Sequence, residues 1–552
     1  MNEREIDGVM FKNMLMAGLR RLSDRIEEVN DLNVFPIPDG DTGDNMYSTL
    51  YGGFKRIADS DDDVLGSVAK PVGEGVLLGA RGNSGVILSQ MIYGITEEFA
   101  PHERADAAVI AKAFERGVKK AYCSVSTPVE GTMLTVLREA TEYANKNVTK
   151  SSTPESYFSD FLKEGEKSLE RTPSLLPVLK EAGVVDSGGA GVLHIVSGFL
   201  SAVRGESAGE ASELAVASSA KDIDFSLFTE DSVMRFGYCT EFLLQLTKSK
   251  IDIAAFSLED MKREISAFGD SLVAVKTGSV VKIHIHTMTP GAVLAYAQAF
   301  GEFLTVKIEN MTLQHNETVE KKQITFRKNL TRKKFAAIAV ADGKGVVSAF
   351  TELGADIVID GGQGNNPSVE TFLNAFDAVN GDVIFVLPDN NNVVMAAKEA
   401  AGLYGKSDVR VLGAKSVGDG YCALSAMDYS LDDADEIFNA MQSEIDNSVC
   451  AAVSRSIRDS KAGGLVINDG DYIGFVDKDI IVADRERLAA AKRLTECLND
   501  EAKSFVIAFF GDGVGESERE GFASFIEEHF PEVEFYGMDG GQEIYDYVIV
   551  LQ

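Results

Sequence analysis

The spacing of apolar residues changes twice along this chain of 552 residues, and that spacing decides which secondary structure can bury them. Over the first 205 or so residues, apolar side chains recur every three or four positions, as in the series Met46, Leu50, Phe54 and Ile57. Each series forms one apolar stripe along a helix, and such stripes bury one another when helices pack side by side. Residues 1–205 are therefore predicted to form an all-α helical domain.

Residues 223–316 have a different pattern, in which apolar and polar residues alternate. The clearest example is VKIHIH at residues 281–286, and much of residues 235–246 alternates in the same way. Alternation indicates strands with one buried face, and a helical segment near residues 257–268 lies between them, so an α+β domain is predicted. The small, polar segment 205–222 that precedes this domain is typical of a linker.

From residue 336 to residue 552, short apolar runs alternate with helical stretches. This order predicts βα units around a buried, mainly parallel sheet. The sequence DGGQ at residues 360–363 returns at residues 539–542, each time after a strand-like segment. We interpret residues 336–552 as a two-lobed α/β domain, which makes the whole chain a multidomain protein.

The charge of the chain excludes one large class of partners. Lys and Arg number 53 against 86 Asp and Glu, a net charge of −33, which repels the phosphates of nucleic acids. The polar N-terminus does not resemble a signal peptide, and no apolar run approaches the roughly 20 residues of a membrane span. Five scattered cysteines without CxxC pairs suit a reducing compartment, so we expect a cytoplasmic protein without membrane insertion.

The segment NVFPIPDGDTGDNM, residues 33–46, carries the densest cluster of functional side chains. Asp39 and Asp41 stand two apart in a glycine-containing turn, where their carboxylates can converge on a cation. Oxygen ligands of this kind suit Mg²⁺, whereas the glycine and glutamate positions of a calcium loop do not fit. The alternative is an acidic surface turn before a helix that begins near Asp44 and Asn45, either of which could cap it.

Three further glycine-rich turns precede helical stretches, at residues 79–85, 128–132 and 182–191. A glycine-rich turn that opens a helix presents free backbone N–H groups, which suit a phosphate, and Ser84 could add a hydroxyl. Each turn alone could be an ordinary helix start. Four such turns, one of them with paired carboxylates, predict a site for a metal-bridged polyphosphate such as ATP.

The ordered motifs resemble a known family. NVFPIPDGDTGDNM, GARGNSGVILSQ, TPVEGTMLTV and LLPVLKEAGVVDSGGAG are similar to the nucleotide-binding domain of dihydroxyacetone kinases and, more closely, to the catalytic subunit of bacterial fatty acid kinase. The resemblance continues through YCTEFLL, VKIHIHT, GGQGNNPS and GGQEIYDYVI, so it extends over essentially the whole chain. It implies an N-terminal antiparallel helical barrel of the dihydroxyacetone kinase type, and a C-terminal domain similar in fold to the fatty-acid carriers themselves.

The resemblance also implies roles for particular residues. Asp39 and Asp41 would hold two Mg²⁺ ions, with a third ligand from Asn33 or, alternatively, Asp31. Asp44 would act as a metal ligand or a helix cap, and we favour the cap. The residues expected to contact ATP are Thr42, Gly43, Asp44, Asn45, Asn83, Ser84, Met133, Asp186, Ser187 and Gly188.

The activity implied is transfer of the γ-phosphoryl group of ATP to the carboxylate of a fatty acid held by a separate fatty-acid-binding carrier protein, giving acyl phosphate. This reaction belongs to fatty acid metabolism and phospholipid synthesis, and the resemblance makes a homodimer plausible. Two alternatives stay open. One is a kinase for a small molecule such as dihydroxyacetone that works with a partner subunit, and the other is a non-enzymatic scaffold that senses Mg·ATP.

A second metal site is predicted in the middle domain. His284 and His286 share one face of a strand, and Cys239 stands in a neighbouring strand-like segment with Glu241. The residue types suit Zn²⁺, and the resemblance implies that the corresponding cysteine and histidines bind such a metal. The alternative is that these side chains simply pack or face solvent. Two loops of the C-terminal domain, at residues 361–368 and 388–392, are expected to form a carrier-binding surface, a pocket or ordinary turns.

Overall fold

The computed structural model describes residues 4–33, 40–206, 238–253, 256–277, 279–310, 331–362, 364–462, 464–498 and 503–552. The chain divides by contacts into two compact units. One unit combines Met1–Leu214 with Phe326–Gln552, and the other is Ala215–Thr325. The first and last parts of the chain therefore fold together.

Helices make up most of the described part of residues 4–206, which confirms the helical prediction for this region. They are α1 (Gly8–Ser23), α2 (Ile26–Asp31), α3 (Thr42–Lys55), α4 (Leu65–Gly79), α5 (Gly82–Phe99), α6 (Ala107–Cys123), α7 (Met133–Asn147), α8 (Pro154–Leu175), α9 (Pro177–Ala182) and α10 (Ser187–Val203). A short strand before α1, β1 (Glu5–Ile6), pairs antiparallel with β2 (Ala105–Asp106) before α6.

The helices pack largely in chain order around one apolar core. α3 packs on α4, α4 on α5, α5 on α6, α6 on α7 and α7 on α8, while α10 packs on both α8 and α1. Met46, Leu50 and Phe54 are buried along α3, because their spacing of four residues keeps them on one face. The barrel geometry that the resemblance implies stays a prediction.

The described part of the middle unit contains an antiparallel sheet of four strands in the order β4-β5-β3-β6. Its elements are β3 (Tyr238–Leu246), α11 (Leu258–Ile265), β4 (Gly269–Thr277), β5 (Val280–Thr287), α12 (Pro290–Gln298) and β6 (Gly301–Asn310). Val281, Ile283 and Ile285 of β5 are fully buried, which explains the alternation seen in VKIHIH.

The C-terminal part begins with a parallel sheet in the order β10-β9-β7-β8, as the βα pattern predicts. Its elements are β7 (Lys333–Ala341), α13 (Lys344–Glu352), β8 (Ile357–Asp360), α14 (Val369–Val379), β9 (Gly381–Leu387), α15 (Val394–Leu403) and β10 (Asp408–Val411). Helices α16 (Val417–Ser425) and α17 (Ala434–Asn447) follow.

A second sheet has six strands in the order β15-β14-β11-β18-β16-β17. Its elements, with a small hairpin β12-β13, are β11 (Val449–Arg455), β12 (Ser460–Ala462), β13 (Leu465–Ile467), β14 (Tyr472–Val476), β15 (Asp479–Asp484), α18 (Arg487–Leu498), β16 (Phe505–Phe510), α19 (Glu516–His529), β17 (Glu534–Asp539) and β18 (Tyr547–Leu551). The two sheets agree with two lobes, and each DGGQ sequence begins at the last residue of an edge strand, β8 or β17.

The prediction of a mainly parallel sheet is wrong for this second lobe, where β16 and β17 are parallel and the other pairs are antiparallel. The reason lies in the short connections. Asp477 adopts a left-handed φ of 52° between β14 and β15, and such a tight turn can only join antiparallel neighbours. Among the described helices, none has both the length and the apolar character that crossing a membrane demands.

Candidate functional site

The starts of helices α3, α5, α7 and α10 come together in one region of the helical part. Ser187 at the start of α10 donates a hydrogen bond from Oγ to Oγ1 of Thr42 at the start of α3, over 3.4 Å. A Cβ on Gly188 would lie 2.8 Å from the side chain of Met133, the first residue of α7. The structure thus brings together the four glycine-containing turns singled out in the sequence.

Asn30 of α2 organises the start of α3. Its Oδ1 accepts a hydrogen bond of 2.7 Å from the N–H of Gly43, and its Nδ2 donates one of 2.8 Å to Oδ2 of Asp44. The prediction that Asp44 caps the helix is wrong, because α3 begins at Thr42 and Asp41 occupies the capping position without a side-chain cap bond. Asp44 lies in the first turn, where its charge is favourable to the helix dipole.

Asn45, the other residue expected to cap this helix, is buried within α3 and contacts the first turn of α5. Gly82 begins α5 with a positive φ of 57°, and a Cβ there would lie 2.4 Å from Nδ2 of Asn45. This backbone conformation and close approach together require glycine. Asn83 and Ser84 follow in the same turn, both half-buried, and α5 has no side-chain cap.

Asp186 caps α10, since its Oδ2 accepts a hydrogen bond of 2.7 Å from the N–H of Gly189. Burial raises the pKa of Asp186 to about 6, although hydrogen bonds from the backbone of Gly189 and Met133 oppose part of the rise. The carboxyl group therefore titrates much closer to neutral pH than an exposed aspartate does. By contrast, α7 begins at Met133 without a side-chain cap from Thr132.

Arg81 places a cation directly before α5, a feature that was not among the predicted site residues. Burial lowers the pKa of Arg81, an effect that the charge of Glu370 opposes. The guanidinium stays charged because the ordinary pKa of arginine is so far above neutral. Its Nε is buried and has no hydrogen-bond partner. The signal lay within GARGNSG, since an arginine beside a glycine-rich helix start complements an anion.

Two loops of the C-terminal part reach these helix starts. Asn366, in the loop after β8, donates a hydrogen bond to the carboxylate of Asp41. Asn83 donates one of 3.3 Å from Nδ2 to Oδ1 of Asn392, in the loop after β9. Both loops follow parallel strands at their carboxyl ends, where α/β sheets place ligand-binding residues. Both were candidates in the sequence, but their contact with the helical part was not predicted.

Some of the predicted metal ligands cannot be placed. Asp39 lies outside the described residues, together with the rest of segment 34–39. Asn33 is half-buried just before that segment, and Asp31 is exposed at the end of α2. The carbonyl oxygen of Asp31 accepts a hydrogen bond of 3.1 Å from Arg458 of the second lobe. The carboxylate pair stays a prediction in which Asp41 alone has a described position.

The described residues fit a metal-bound polyphosphate. Helices α3, α5 and α7 begin without side-chain caps, so their first N–H groups and their dipoles are available to an anion. The carboxylate of Asp41 and the buried amide oxygens of Asn83 and Asn366, which have no hydrogen-bond partner, are hard oxygen ligands of the type that Mg²⁺ prefers. A carboxylate and a phosphate repel each other unless a cation lies between them.

The middle unit offers only backbone information about the predicted zinc site. In the strand register, Cys239 of β3 stands opposite His286 of β5, and Glu241 stands opposite His284. The side chains of Cys239, His284 and His286 are not among those described, and the side chains that are described include no cluster of three or more metal-ligating groups. The zinc site therefore stays a prediction that the register makes geometrically reasonable.

Comparison with protein families gives three consecutive matches. The DAK2 domain model matches residues 36–201. The model for the middle domain of FakA-like fatty acid kinase proteins matches residues 235–318, and the model for their C-terminal region matches residues 336–552. All three thus match in the order helical part, middle unit and α/β part.

Full-length relatives have the same extent as this chain. Protein YloV of Bacillus subtilis (strain 168) is 37% identical over 558 residues, and the match covers 100% of both proteins. An uncharacterised protein of Staphylococcus aureus (strain USA300) is 34% identical, and the match covers 98% of both.

Two solved structures show weaker similarity. The dihydroxyacetone kinase of C. freundii in complex with AMP-PNP and Mg²⁺ is 17% identical with a TM-score of 0.28, over 34% of this chain and 33% of that one. The Streptococcus pneumoniae Fatty Acid Kinase (Fak) B3 protein loaded with linoleic acid is 13% identical with a TM-score of 0.26, over 33% of this chain and 75% of that one. Similarity at this level carries no weight beside the family models and the full-length relatives. Because those models and relatives together span the whole chain, it belongs to the FakA-like family of fatty acid kinase proteins, with a DAK2 domain as its helical part.

Proposed function

We propose that this protein is an ATP-dependent kinase that transfers the γ-phosphoryl group to the carboxylate of a fatty acid presented by a separate fatty-acid-binding carrier protein. The observation that carries the proposal is the meeting of uncapped helix starts with the carboxylate of Asp41, in a chain of this family. Such a region attracts phosphate through its N–H groups and requires a cation at its carboxylate.

Asp41, together with Asp39 and either Asn33 or Asp31, would hold two Mg²⁺ ions. When bound, these ions neutralise the phosphates and the carboxylates that would otherwise repel each other. The amide of Asn366 orients the carboxylate of Asp41 by donating a hydrogen bond to it. This contact makes Asn366 a positioning residue of the proposed site.

The remaining predicted residues would hold the nucleotide. Thr42, Gly43 and Asn45 lie at the start of α3, and Asn83 and Ser84 lie in the first turn of α5, so both turns offer N–H groups to the phosphates. At the starts of α7 and α10, the neighbouring residues Met133, Asp186, Ser187 and Gly188 would contact the adenosine end.

The proposed acceptor explains why no catalytic base is needed. A fatty acid carboxylate is already ionised at neutral pH, so the enzyme does not have to remove a proton from it. Phosphoryl transfer then depends mainly on positioning and on charge neutralisation. The residues described around Asp41 provide those two functions and contain no Ser/His/Asp arrangement.

The decisive experiment uses the full-length protein, Mg·ATP and a carrier loaded with fatty acid, and it measures acyl phosphate by trapping with hydroxylamine. We expect product with the unaltered protein and none above background with Asp41→Ala. Asp61→Ala is the matched control, because Asp61 is a fully exposed aspartate in the loop after α3. Phosphorylation of dihydroxyacetone without any carrier would support the small-molecule kinase, and nucleotide binding without transfer to any acceptor would support the scaffold.

A further inference from the structure

A cavity of about 480 Å³ lies in the C-terminal part, away from the helix starts described above. One side is formed by the loops after β7, β8, β9 and β10 and by the start of α16. Residues of β11, β14 and β18 from the second sheet form the other side. The cavity thus lies at the carboxyl ends of the parallel strands, where open α/β sheets bind ligands, and its volume is within the range of small-molecule sites.

Three buried side chains in the cavity wall have polar atoms without hydrogen-bond partners. They are both carboxylate oxygens of Asp389, Nδ2 of Asn390 and Oε1 of Gln542, in residues that are 6%, 4% and 4% exposed. A buried polar atom without a partner costs about 1–3 kcal/mol, so three around one cavity are unusual. Their shared location indicates that a bound molecule supplies the missing partners.

Asp389 is held in place by its surroundings. It follows β9 with a left-handed φ of 53°, and a Cβ on Gly420 of α16 would lie 2.3 Å from its Oδ1. The carboxyl group therefore occupies the space that a side chain at position 420 would take. This fixed position suits a binding group better than a mobile surface aspartate would.

The charges around the cavity select the kind of ligand. The charged residues of its wall are Asp342, Asp389, Asp419, Asp446, Asp477 and Lys415. Five carboxyl groups against one ammonium group disfavour an anion such as a fatty acid carboxylate or a phosphate. They favour a ligand with a positive charge.

The second sheet makes the opposite side of the cavity apolar. Val449 and Ala451 of β11 and Val548 of β18 contribute to it, together with Ile445 from α17. An apolar wall across from a buried carboxyl group fits a molecule with a charged head and a hydrocarbon body.

We propose that this cavity binds a small amphiphilic amine, whose protonated nitrogen pairs with the carboxylate of Asp389 while its apolar part lies against β11 and β18. Gln542 Oε1 accepts a second hydrogen bond from the ammonium group, and Asn390 Nδ2 donates one to an acceptor on the ligand. This site is separate from the proposed kinase reaction and does not depend on it.

The electrostatics of Asp389 agree with this assignment. Burial, reinforced by the charge of Asp419, raises the pKa of Asp389 well above its ordinary value, and the backbone of Val340 opposes part of the rise. Without a nearby cation, the carboxyl group is therefore protonated near neutral pH. An ammonium group at close range favours the ionised form, so binding of the amine releases a proton.

Isothermal titration calorimetry on the full-length protein tests the proposal with octylamine, octanol and octanoate, which share one chain length and differ in head group. We expect octylamine to bind at least about tenfold more tightly than octanoate, with octanol between them. Asp389→Asn should weaken octylamine binding by about tenfold or more. Asp446→Asn removes an exposed carboxylate from the rim and should change the affinity by less than about twofold.

A measurement on the unaltered protein guards against misfolding of the variant. Titrations in two buffers of different ionisation enthalpy should show release of about one proton for each amine bound. Equal binding of octanoate, an Asp389→Asn variant that binds octylamine normally, absence of proton release, or no octylamine binding up to about 1 mM would each overturn the proposal.

Discussion

The side-chain amide of Asn366, in the C-terminal α/β part, donates a hydrogen bond to the carboxylate of Asp41 at the start of α3. The two residues are 325 positions apart in the chain. A residue of the α/β part therefore contacts the side chain proposed to hold magnesium in the helical part. Because Asn366 is 4% exposed, its amide cannot readily exchange this contact for water.

Asn366→Ala should impair the kinase reaction without unfolding the protein. A hydrogen bond to a charged group contributes about 1.5–3 kcal/mol, so we expect kcat/KM for Mg·ATP to fall by roughly tenfold or more. Steady-state kinetics of acyl phosphate formation measure this change. Asn447→Ala, an exposed asparagine on α17, is the control, and equal activities of the two variants would show that Asn366 does not position Asp41.

Gly82→Ala should destabilise the protein more than Gly183→Ala does. Both glycines have a positive φ, of 57° and 69°, so alanine costs about 1 kcal/mol of backbone strain at either position. A Cβ at position 82 would also lie 2.4 Å from Nδ2 of Asn45, whereas nothing lies within 4 Å of one at position 183. Denaturant unfolding should therefore separate the variants by about 1–3 kcal/mol, and equal losses would show that Asn45 moves aside without cost.

The Gly82→Ala variant should also bind nucleotide less tightly. The displaced first turn of α5 carries Asn83 and Ser84, which are proposed to face the phosphates. Equilibrium titration with a non-hydrolysable ATP analogue and Mg²⁺ measures the affinity, with Gly183→Ala as the control. Unchanged affinity in the Gly82→Ala variant would argue against a phosphate role for this turn.

Asp186→Asn should remove a pH dependence of stability. The pKa of Asp186 is raised from 3.8 to about 6 in the folded protein, so the folded state holds the proton more tightly than the unfolded state. The contribution of this group to stability is then greatest below pH ~4 and is lost as the pH rises through ~6. Asparagine can still accept the capping bond from Gly189, so the variant should match the unaltered protein at pH ~4.

By pH ~7 the Asp186→Asn variant should be more stable than the unaltered protein, by at most about 3 kcal/mol. Urea unfolding of both proteins between pH ~4 and ~7 measures the difference. A difference that is constant with pH, or that grows toward low pH, would contradict the raised pKa of Asp186.

The protein purified without chelators should contain zinc in the middle unit. Cys239 stands opposite His286 in the strand register, so a shared ligand position between β3 and β5 requires no rearrangement of the backbone. Elemental analysis should find a stoichiometric amount of zinc that Cys239→Ser removes. Cys123→Ser changes an exposed free cysteine and should keep the metal, and a zinc content that is negligible or independent of Cys239 would rule out the site.

The helices and the first sheet were predictable because their signals are local. The stripe of Met46, Leu50 and Phe54 identifies α3 from neighbouring residues alone, and the apolar runs of β7 and β9 identify buried parallel strands. The antiparallel second sheet was not predictable from the same pattern. Its strand directions depend on short turns such as the one at Asp477, whose left-handed conformation the apolar pattern does not reveal.

The candidate site divides in the same way. By itself, the sequence determined which helices form, which turns are rich in glycine, and that carboxylates precede α3, because these features depend on residues close together in the chain. Only the tertiary structure decided that Asn30 rather than Asp44 binds the first turn of α3, and that Asn366 contacts Asp41. Such contacts depend on how distant segments pack, and the packing results from the burial of whole apolar faces, which short motifs do not encode.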